Sequence, residues 1–332
     1  MIGRGELVTL SEDWRFRSPA RLVSTDGAPD GAKLLPADIA GPLRRLAADG
    51  PAPPDASGLA PGVIRALELD GVLRVTPARP PAPEWITAAD DDSPETAALT
   101  WGATFTRLTS AELARRLYFF GRRPVTAAWS RRLPDEAAVA RWLGPVPADL
   151  DGFHRLPRTP ESWVWRRWAR AGAPRTDDKL YVCCAPAALP DAVRACLPVL
   201  ADAAVAGFKL GHDLPTVLRP DKFVLFLADA GRADELATRI AGAIGPAPVH
   251  PLPFTAATPA GDLVRAATDP PDARTRPAGR ERASWRLYIC RLAAATLTAN
   301  RARPRVERVA AALERLTLAG VDVHHWTWST AP

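Results

Sequence analysis

The second half of the chain alternates short apolar runs with amphipathic runs, and this alternation constrains the fold more than any other feature. Three apolar runs predict β-strands, namely KLYVCCA at 179–185, GFKL at 207–210 and KFVLFLA at 222–228. A helical pattern opened by Pro190 follows the first run, and residues 232–244 predict a second helix after the third. The pattern predicts an α+β fold with a mixed sheet flanked by helices.

The remaining sequence predicts a small first domain, a linker and one larger domain. Residues 1–76 contain a helical pattern and a run that changes from helix to strand, which is typical of a small α+β, winged-helix-like segment. Residues 77–100 are rich in Pro and acidic side chains and predict a linker. Residues 101–332 then hold the main α+β domain.

Two stretches of the main domain have less regular patterns. The sequence WVWRRW at 163–168 includes Trp165 and Trp168, whose helical spacing predicts one packed amphipathic face. A surface that stacks sugars or bases is the alternative interpretation. Residues 245–280 are rich in Pro, Thr and Ala without a clear period, so we predict a long loop. Two helices, at 281–299 and 304–318, are predicted to follow it.

The composition allows predictions about the cellular compartment, metal binding and cofactors. The chain has no run of 18 apolar residues and its first residues lack the pattern of a signal peptide, so we expect a cytoplasmic protein. The four cysteines lie in apolar runs without metal-site spacing, and His324 and His325 are adjacent. We therefore expect neither a metal site nor a cofactor. The net charge of +6 favours an anionic partner.

Lysine is rare in this chain, and its positions are informative. Of 43 basic residues only four are lysines, and three of these are Lys179, Lys209 and Lys222. Arginine stays protonated, whereas a lysine that is buried or crowded by cations can lose its proton near neutral pH. A general base is thus one interpretation of these lysines. A solvated surface charge is the other.

The order of these motifs resembles the phosphothreonine lyase superfamily. The motifs are Asp178-Lys179-Leu180-Tyr181-Val182, then Phe208-Lys209, then Lys222-Phe223-Val224-Leu225-Phe226. More specifically, residues 110–300 look like the bacterial branch related to Hop-type type III effectors. That branch occurs in actinobacterial clusters that make ribosomally synthesised peptides such as class V lanthipeptides and thioamitides.

The resemblance implies a role for each candidate site residue. Lys209 corresponds to the base that removes the Cα proton. Tyr181 stands where the family has its general-acid histidine, and strand alternation places it on the face of Lys179. The resemblance implies phosphate-binding roles for Lys179, Arg219, Lys222, Arg286 and Arg291.

These roles imply a lyase that eliminates phosphate from phosphoserine or phosphothreonine of a precursor peptide, giving dehydroalanine or dehydrobutyrine. The chain has no glycine-rich loop or other kinase motif, so a separate kinase is the expected partner. The departure at Tyr181 favours an alternative, a noncatalytic subunit that binds a phosphopeptide or a leader peptide. A nucleic-acid-binding protein is a third interpretation, but the arginines are spread along the chain rather than gathered in a dense basic block.

Overall fold

The chain forms two compact units. The computed structural model describes residues 6–25, 32–89, 91–144, 152–157, 165–173, 176–201, 205–270 and 283–329. The first unit comprises Met1–Tyr118, Asp272–Val323 and Trp328–Pro332, and the second comprises Phe119–Pro271 and His324–Thr327. The predicted α+β class is confirmed, and the predicted domain boundaries at 76 and 100 stay a prediction.

The second unit is built around a seven-stranded sheet with the strand order β11-β12-β8-β10-β9-β7-β6. Its strands are β6 (Phe153–Arg155), β7 (Trp165–Arg170), β8 (Asp178–Val182), β9 (Val205–Gly211), β10 (Phe223–Leu227), β11 (Ala256–Thr258) and β12 (Gly261–Thr268). Its helices are α6 (Ala127–Arg132), α7 (Glu136–Leu143), α8 (Leu189–Leu200), α9 (Leu214–Val217) and α10 (Ala233–Ile244). All six pairings in this sheet are antiparallel, so the sheet is not mixed as predicted.

Helices cover one face of the sheet. Leu180, Leu225 and Phe208 are cross-strand partners on β8, β10 and β9, and all three lie in the main core cluster. Buried side chains of α7, α8 and α10 belong to the same cluster. Burying one such Leu or Phe contributes about 1.5–3 kcal/mol. Because side chains alternate along a strand, residues next to these three point to the opposite face.

The tryptophan-rich segment is a strand and not a helix. Trp165 and Trp168 both lie on β7, three residues apart, and therefore point to opposite faces of the sheet. Trp168 stacks on Phe208 in the core, with ring centroids 4.7 Å apart. The predicted shared face of the two tryptophans is wrong, and Trp163 lies outside the described residues.

The prediction of a long loop at 245–280 is also wrong for the middle of that range. Residues 256–258 and 261–268 form β11 and β12, and β12 pairs with β8 from Val264 to Thr268. The end of the predicted loop, from residue 271, lies outside the described residues.

The first unit combines two small sheets with helices. Its elements are β1 (Leu7–Leu10), β2 (Trp14–Ser18), β3 (Arg21–Ser24), β4 (Ala32–Leu34), α1 (Ala37–Asp49), α2 (Pro61–Leu69), β5 (Leu73–Thr76), α3 (Pro83–Ala88), α4 (Pro94–Gly102), α5 (Ser110–Tyr118), α11 (Trp285–Ala299), α12 (Arg305–Leu318) and β13 (Val321–Asp322). A last strand, β14, spans Thr327–Trp328. The strands form a β1-β5 pair and a β2-β3-β4 sheet. No helix among the described residues is long and apolar enough to cross a membrane.

Helix α4 does not fit the predicted linker. Ser93 caps its N-terminus by accepting a hydrogen bond from the backbone N–H of Thr96. Ala98 and Leu99 are fully buried on this helix. A segment that buries apolar side chains in this way is part of the packed first unit.

Candidate functional site

The sheet face opposite the helices carries two of the four lysines, Lys179 and Lys209. Cross-strand pairing places Tyr181, Val224 and Lys209 in one row across β8, β10 and β9. Lys179 and Phe226 are partners in the adjacent row. Since paired residues share a face, all five side chains lie on what we call the lysine face. The structure therefore brings Lys179, Tyr181 and Lys209 together.

The Lys209 amine lies against aromatic rings. Its Nζ is 4.1 Å from the centroid of the Trp165 ring and 5.9 Å from that of Phe226. The Nζ of Lys179 lies 5.6 Å from the same Phe226 centroid, so the two amines share one aromatic contact. Lys179 is buried, whereas Lys209 remains partly exposed. The two amines thus lie against the same aromatic ring.

Burial lowers the pKa of Lys209 to about 7, from an ordinary value of 10.5. The positive charges of Lys179 and Arg219 lower it further, while the carboxylates of Asp221 and Asp269 oppose the change. At pH 7 about half of such amines are unprotonated, compared with roughly one in 3,000 for an ordinary lysine. The amine is therefore able to act as a general base near neutral pH.

Two cations near Lys209, on Lys179 and Arg219, already have carboxylate partners. Lys179 forms a short ion pair with Asp269, just beyond β12. Arg219 donates two hydrogen bonds to Asp221, at 2.8 and 2.7 Å. The guanidinium of Arg219 also lies 5.0 Å from the Trp165 ring centroid. An incoming anion would therefore share Lys179 and Arg219 with these carboxylates or displace them.

Lys222, predicted to bind phosphate, is fully buried. Its amine donates to the carbonyl of Arg219 at 3.4 Å and lies 3.3 Å from Nδ1 of His250. Burial lowers the pKa of Lys222. Burial also lowers the pKa of His250, to about 4, and the positive charge of Lys222 acts in the same direction. The neutral His250 then accepts at Nδ1 and donates from Nε2 to the carbonyl of Gly121, 2.7 Å away. In this position Lys222 supports the loop that carries Arg219, and its phosphate-binding role stays a prediction.

Tyr181 and the two late arginines complete the predicted set. Tyr181 is buried on the lysine face, in the row of Lys209. Arg286 lies on α11 of the first unit, where it is buried and donates to the carbonyl of Tyr118 at 3.0 Å. Arg291 is exposed on the same helix. A phosphate-binding role for Arg286 and Arg291 stays a prediction.

Sequence reasoning missed several residues of the lysine face. Trp165 contacts both Lys209 and Arg219, and Asp269 pairs with Lys179. Asp221 holds Arg219 through two hydrogen bonds. Arg167 was also missed, although it lies directly opposite Lys209 on β7. The alternation of WRRW as a strand would have indicated that Trp165 and Arg167 share a face.

Comparison with known proteins gives distant structural similarities. No protein-family profile and no curated protein matches the chain. An effector from Pseudomonas syringae pathovar tomato matches with 12% identity and a TM-score of 0.46, covering 74% of this chain and 100% of that protein. An effector from Pseudomonas syringae pathovar syringae matches with 15% identity and a TM-score of 0.42, covering 71% and 97%.

A third solved structure is described as a phosphothreonine lyase effector, VirA (SpvC) of Chromobacterium violaceum. It matches with 14% identity and a TM-score of 0.29, covering 35% of this chain and 65% of that protein. With TM-scores below 0.5, these similarities support no conclusion about this chain.

Proposed function

We propose that the lysine face binds a phosphorylated Ser or Thr of a peptide and eliminates its phosphate, which makes the protein a carbon–oxygen lyase. The observation that supports this most is the amine of Lys209, whose pKa is about 7, among the cations Lys179 and Arg219. β-Elimination needs a base of that strength next to positive charge that favours a departing phosphate.

The reaction assigns a separate task to each group. The unprotonated Lys209 takes the Cα proton of the phosphorylated residue. Overall, the Cα–H electron pair becomes the Cα=Cβ bond, the Cβ–O bond breaks, and its electrons leave with the phosphate. Lys179 and Arg219 would hold that phosphate by charge-assisted hydrogen bonds, in competition with Asp269 and Asp221. The product is dehydroalanine from phosphoserine or dehydrobutyrine from phosphothreonine.

Tyr181 supplies the proton donor of this face. It shares the row of Lys209, two residues along β8 from Lys179, so its hydroxyl belongs to the same face as both amines. Phosphate is a good leaving group, and a weak acid therefore slows its departure without abolishing it. General acid catalysis typically contributes about 10²- to 10⁴-fold.

The proposed substrate is a precursor peptide of ribosomal origin, phosphorylated by a separate kinase in the cytoplasm. The motifs around Lys179, Lys209 and Lys222 support this substrate through their resemblance to lyases of lanthipeptide and thioamitide clusters. The net charge of +6 suits a phosphorylated peptide.

The proposal is tested by incubating the native protein with phosphoserine and phosphothreonine peptides and following their mass. We expect the loss of phosphoric acid, and addition of a thiol to the product would identify a dehydro residue. Loss of phosphate with retention of the hydroxyl would indicate hydrolysis and would contradict the lyase.

The alternative is a noncatalytic subunit that binds a phosphopeptide or a leader peptide and presents it to a kinase or cyclase. The carboxylate partners of Lys179 and Arg219 and the tyrosine at position 181 favour it. Calorimetry distinguishes the two functions, because a subunit of this kind would bind phosphopeptide without any change in its mass.

A further inference from the structure

We propose that Arg167 binds the carbonyl oxygen of the reacting residue and stabilises the enolate that forms when the Cα proton is removed. This inference rests on the proposed elimination. It adds a catalytic role to a residue that neither the sequence motifs nor the predicted phosphate site includes.

The pairing of β7 with β9 places Arg167 next to the base. Arg167 and Lys209 are direct cross-strand partners and therefore project from the same face. The carbonyl of Arg167 accepts a hydrogen bond from the backbone N–H of Leu156, which lies just beyond β6 on the other side of β7. Its backbone groups thus point away from β9, so the pair is the non-hydrogen-bonded type, with Cα atoms only about 4.5 Å apart. Arg167 is thus the direct cross-strand neighbour of Lys209 on β7.

The charge of Arg167 also differs from that of its neighbours. Lys179 and Arg219 each form an ion pair with a carboxylate. Within the described ranges, the side chain of Arg167 has no hydrogen bond, ion pair or ring contact, and it is partly exposed. Its guanidinium is therefore available to a ligand without displacing an internal partner.

The order of the strands places Arg167 and Lys179, one of the two proposed phosphate ligands, on opposite sides of Lys209. Lys179 and Tyr181 lie on β8, two strands from Lys209, whereas Arg167 lies on the opposite side of Lys209, on β7. The Cα of the substrate bears Cβ and its phosphate in one direction and the carbonyl carbon in another. With Cα at the Lys209 amine and the phosphate toward Lys179, the carbonyl oxygen points toward Arg167.

The electron flow gives Arg167 a defined role. The lone pair of Lys209 takes the Cα proton, and the C–H electrons form a Cα=C bond while the carbonyl π pair moves onto oxygen. The guanidinium of Arg167 binds this enolate oxygen. The oxygen pair then re-forms the carbonyl, the Cα=C electrons form Cα=Cβ, and the Cβ–O bond breaks with its electrons on phosphate. The proton remains on Lys209.

The test is the steady-state elimination of a phosphothreonine peptide by the native protein, Arg167→Gln and Arg167→Lys. Removing one donor of this type lowers kcat by about 10²- to 10³-fold, and we expect this fall for Arg167→Gln with KM changed by less than about threefold. Arg167→Lys should retain an intermediate kcat because it keeps the charge. A Cα-deuterated peptide should show a larger isotope effect with Arg167→Gln, since proton removal then limits the rate.

The matched control is Arg155→Gln. Arg155 is an exposed arginine on β6, paired with Trp168, whose ring packs into the core on the helix-covered face. Arg155→Gln therefore removes the same charge from the opposite face of the sheet, and we expect unchanged kcat and KM. If Arg167→Gln matches this control while the native protein eliminates phosphate, the role of Arg167 is refuted and the lyase stands. No elimination by the native protein would overturn both.

Discussion

Replacing Trp165 with alanine should raise the pKa of Lys209. The indole ring acts on the amine in two opposing ways, since it excludes water and also offers a π-face at 4.1 Å. Excluding water disfavours the ammonium form, whereas a cation–π contact favours it. The direction of the change depends on which effect is larger.

Of these two effects on the Lys209 ammonium, the exclusion of water is the larger. Burial, with the neighbouring charges, takes the pKa of Lys209 from 10.5 to about 7. At about 1.4 kcal/mol for each tenfold change, this corresponds to roughly 5 kcal/mol against the ammonium form. A cation–π contact contributes only about 0.5–2 kcal/mol in the opposite direction. Opening one wall of the site to water should therefore raise the pKa by about one or more.

The scarcity of lysine makes this measurable. With only four lysines in the chain, ¹⁵N-labelled lysine gives a side-chain NMR spectrum in which Lys209 is assigned by its loss in Lys209→Arg. Trp165→Leu is the control because it keeps an apolar wall and removes the π-face, so the pKa should stay near 7 or fall. An unchanged or lower pKa in Trp165→Ala would refute the view that burial by this ring tunes the amine.

Three further predictions concern the framework. Asp70 accepts hydrogen bonds from Lys33 and Arg315; burial raises its pKa, but these two cations outweigh burial and bring it to about 2. Asp70→Asn should lower the free energy of unfolding, measured with denaturant, by about 3–5 kcal/mol. In the native protein, the stabilisation by the ionised Asp70 carboxylate should be complete above pH 4 and should vanish as the pH falls through 2. Lys222→Met removes the hydrogen-bond donor of the His250 ring and should lower the free energy of unfolding by about 1–3 kcal/mol. Because Lys222 supports the loop that carries Arg219, the same substitution should raise KM for a phosphopeptide. Gly207→Ala, whose Cβ would lie 2.7 Å from the carbonyl oxygen of Trp168, should lower the melting temperature by several degrees.

The strands that carry the lysines could be predicted because their patterns are local. Three apolar runs correspond to β8, β9 and β10, and alternation alone placed Lys179 and Tyr181 on one face. The order of the strands was not predictable. β10 lies between β8 and β9 in the sheet although it follows both in sequence, and this pairing is what brings Lys179 and Lys209 together.

Other features depend on contacts between distant segments. The spacing of Trp165 and Trp168 fits either a helix or a strand, and only the pairing of β7 with β9 decides between them. Asp269 is 90 residues from Lys179, so no local pattern indicates their ion pair. Helix α4 was predictable, because Ser93 followed by Pro94 is a typical helix start.

The central claim is that the amine at position 209 removes the Cα proton during phosphate elimination. The most direct test compares native protein, Lys209→Arg and Lys209→Ala in the mass assay with a phosphothreonine peptide, with and without added methylamine. Elimination by the native protein, none by Lys209→Arg and partial recovery of Lys209→Ala with the added amine are the predicted results. Elimination by Lys209→Arg at the native rate would contradict the account, because a guanidinium keeps its proton at neutral pH.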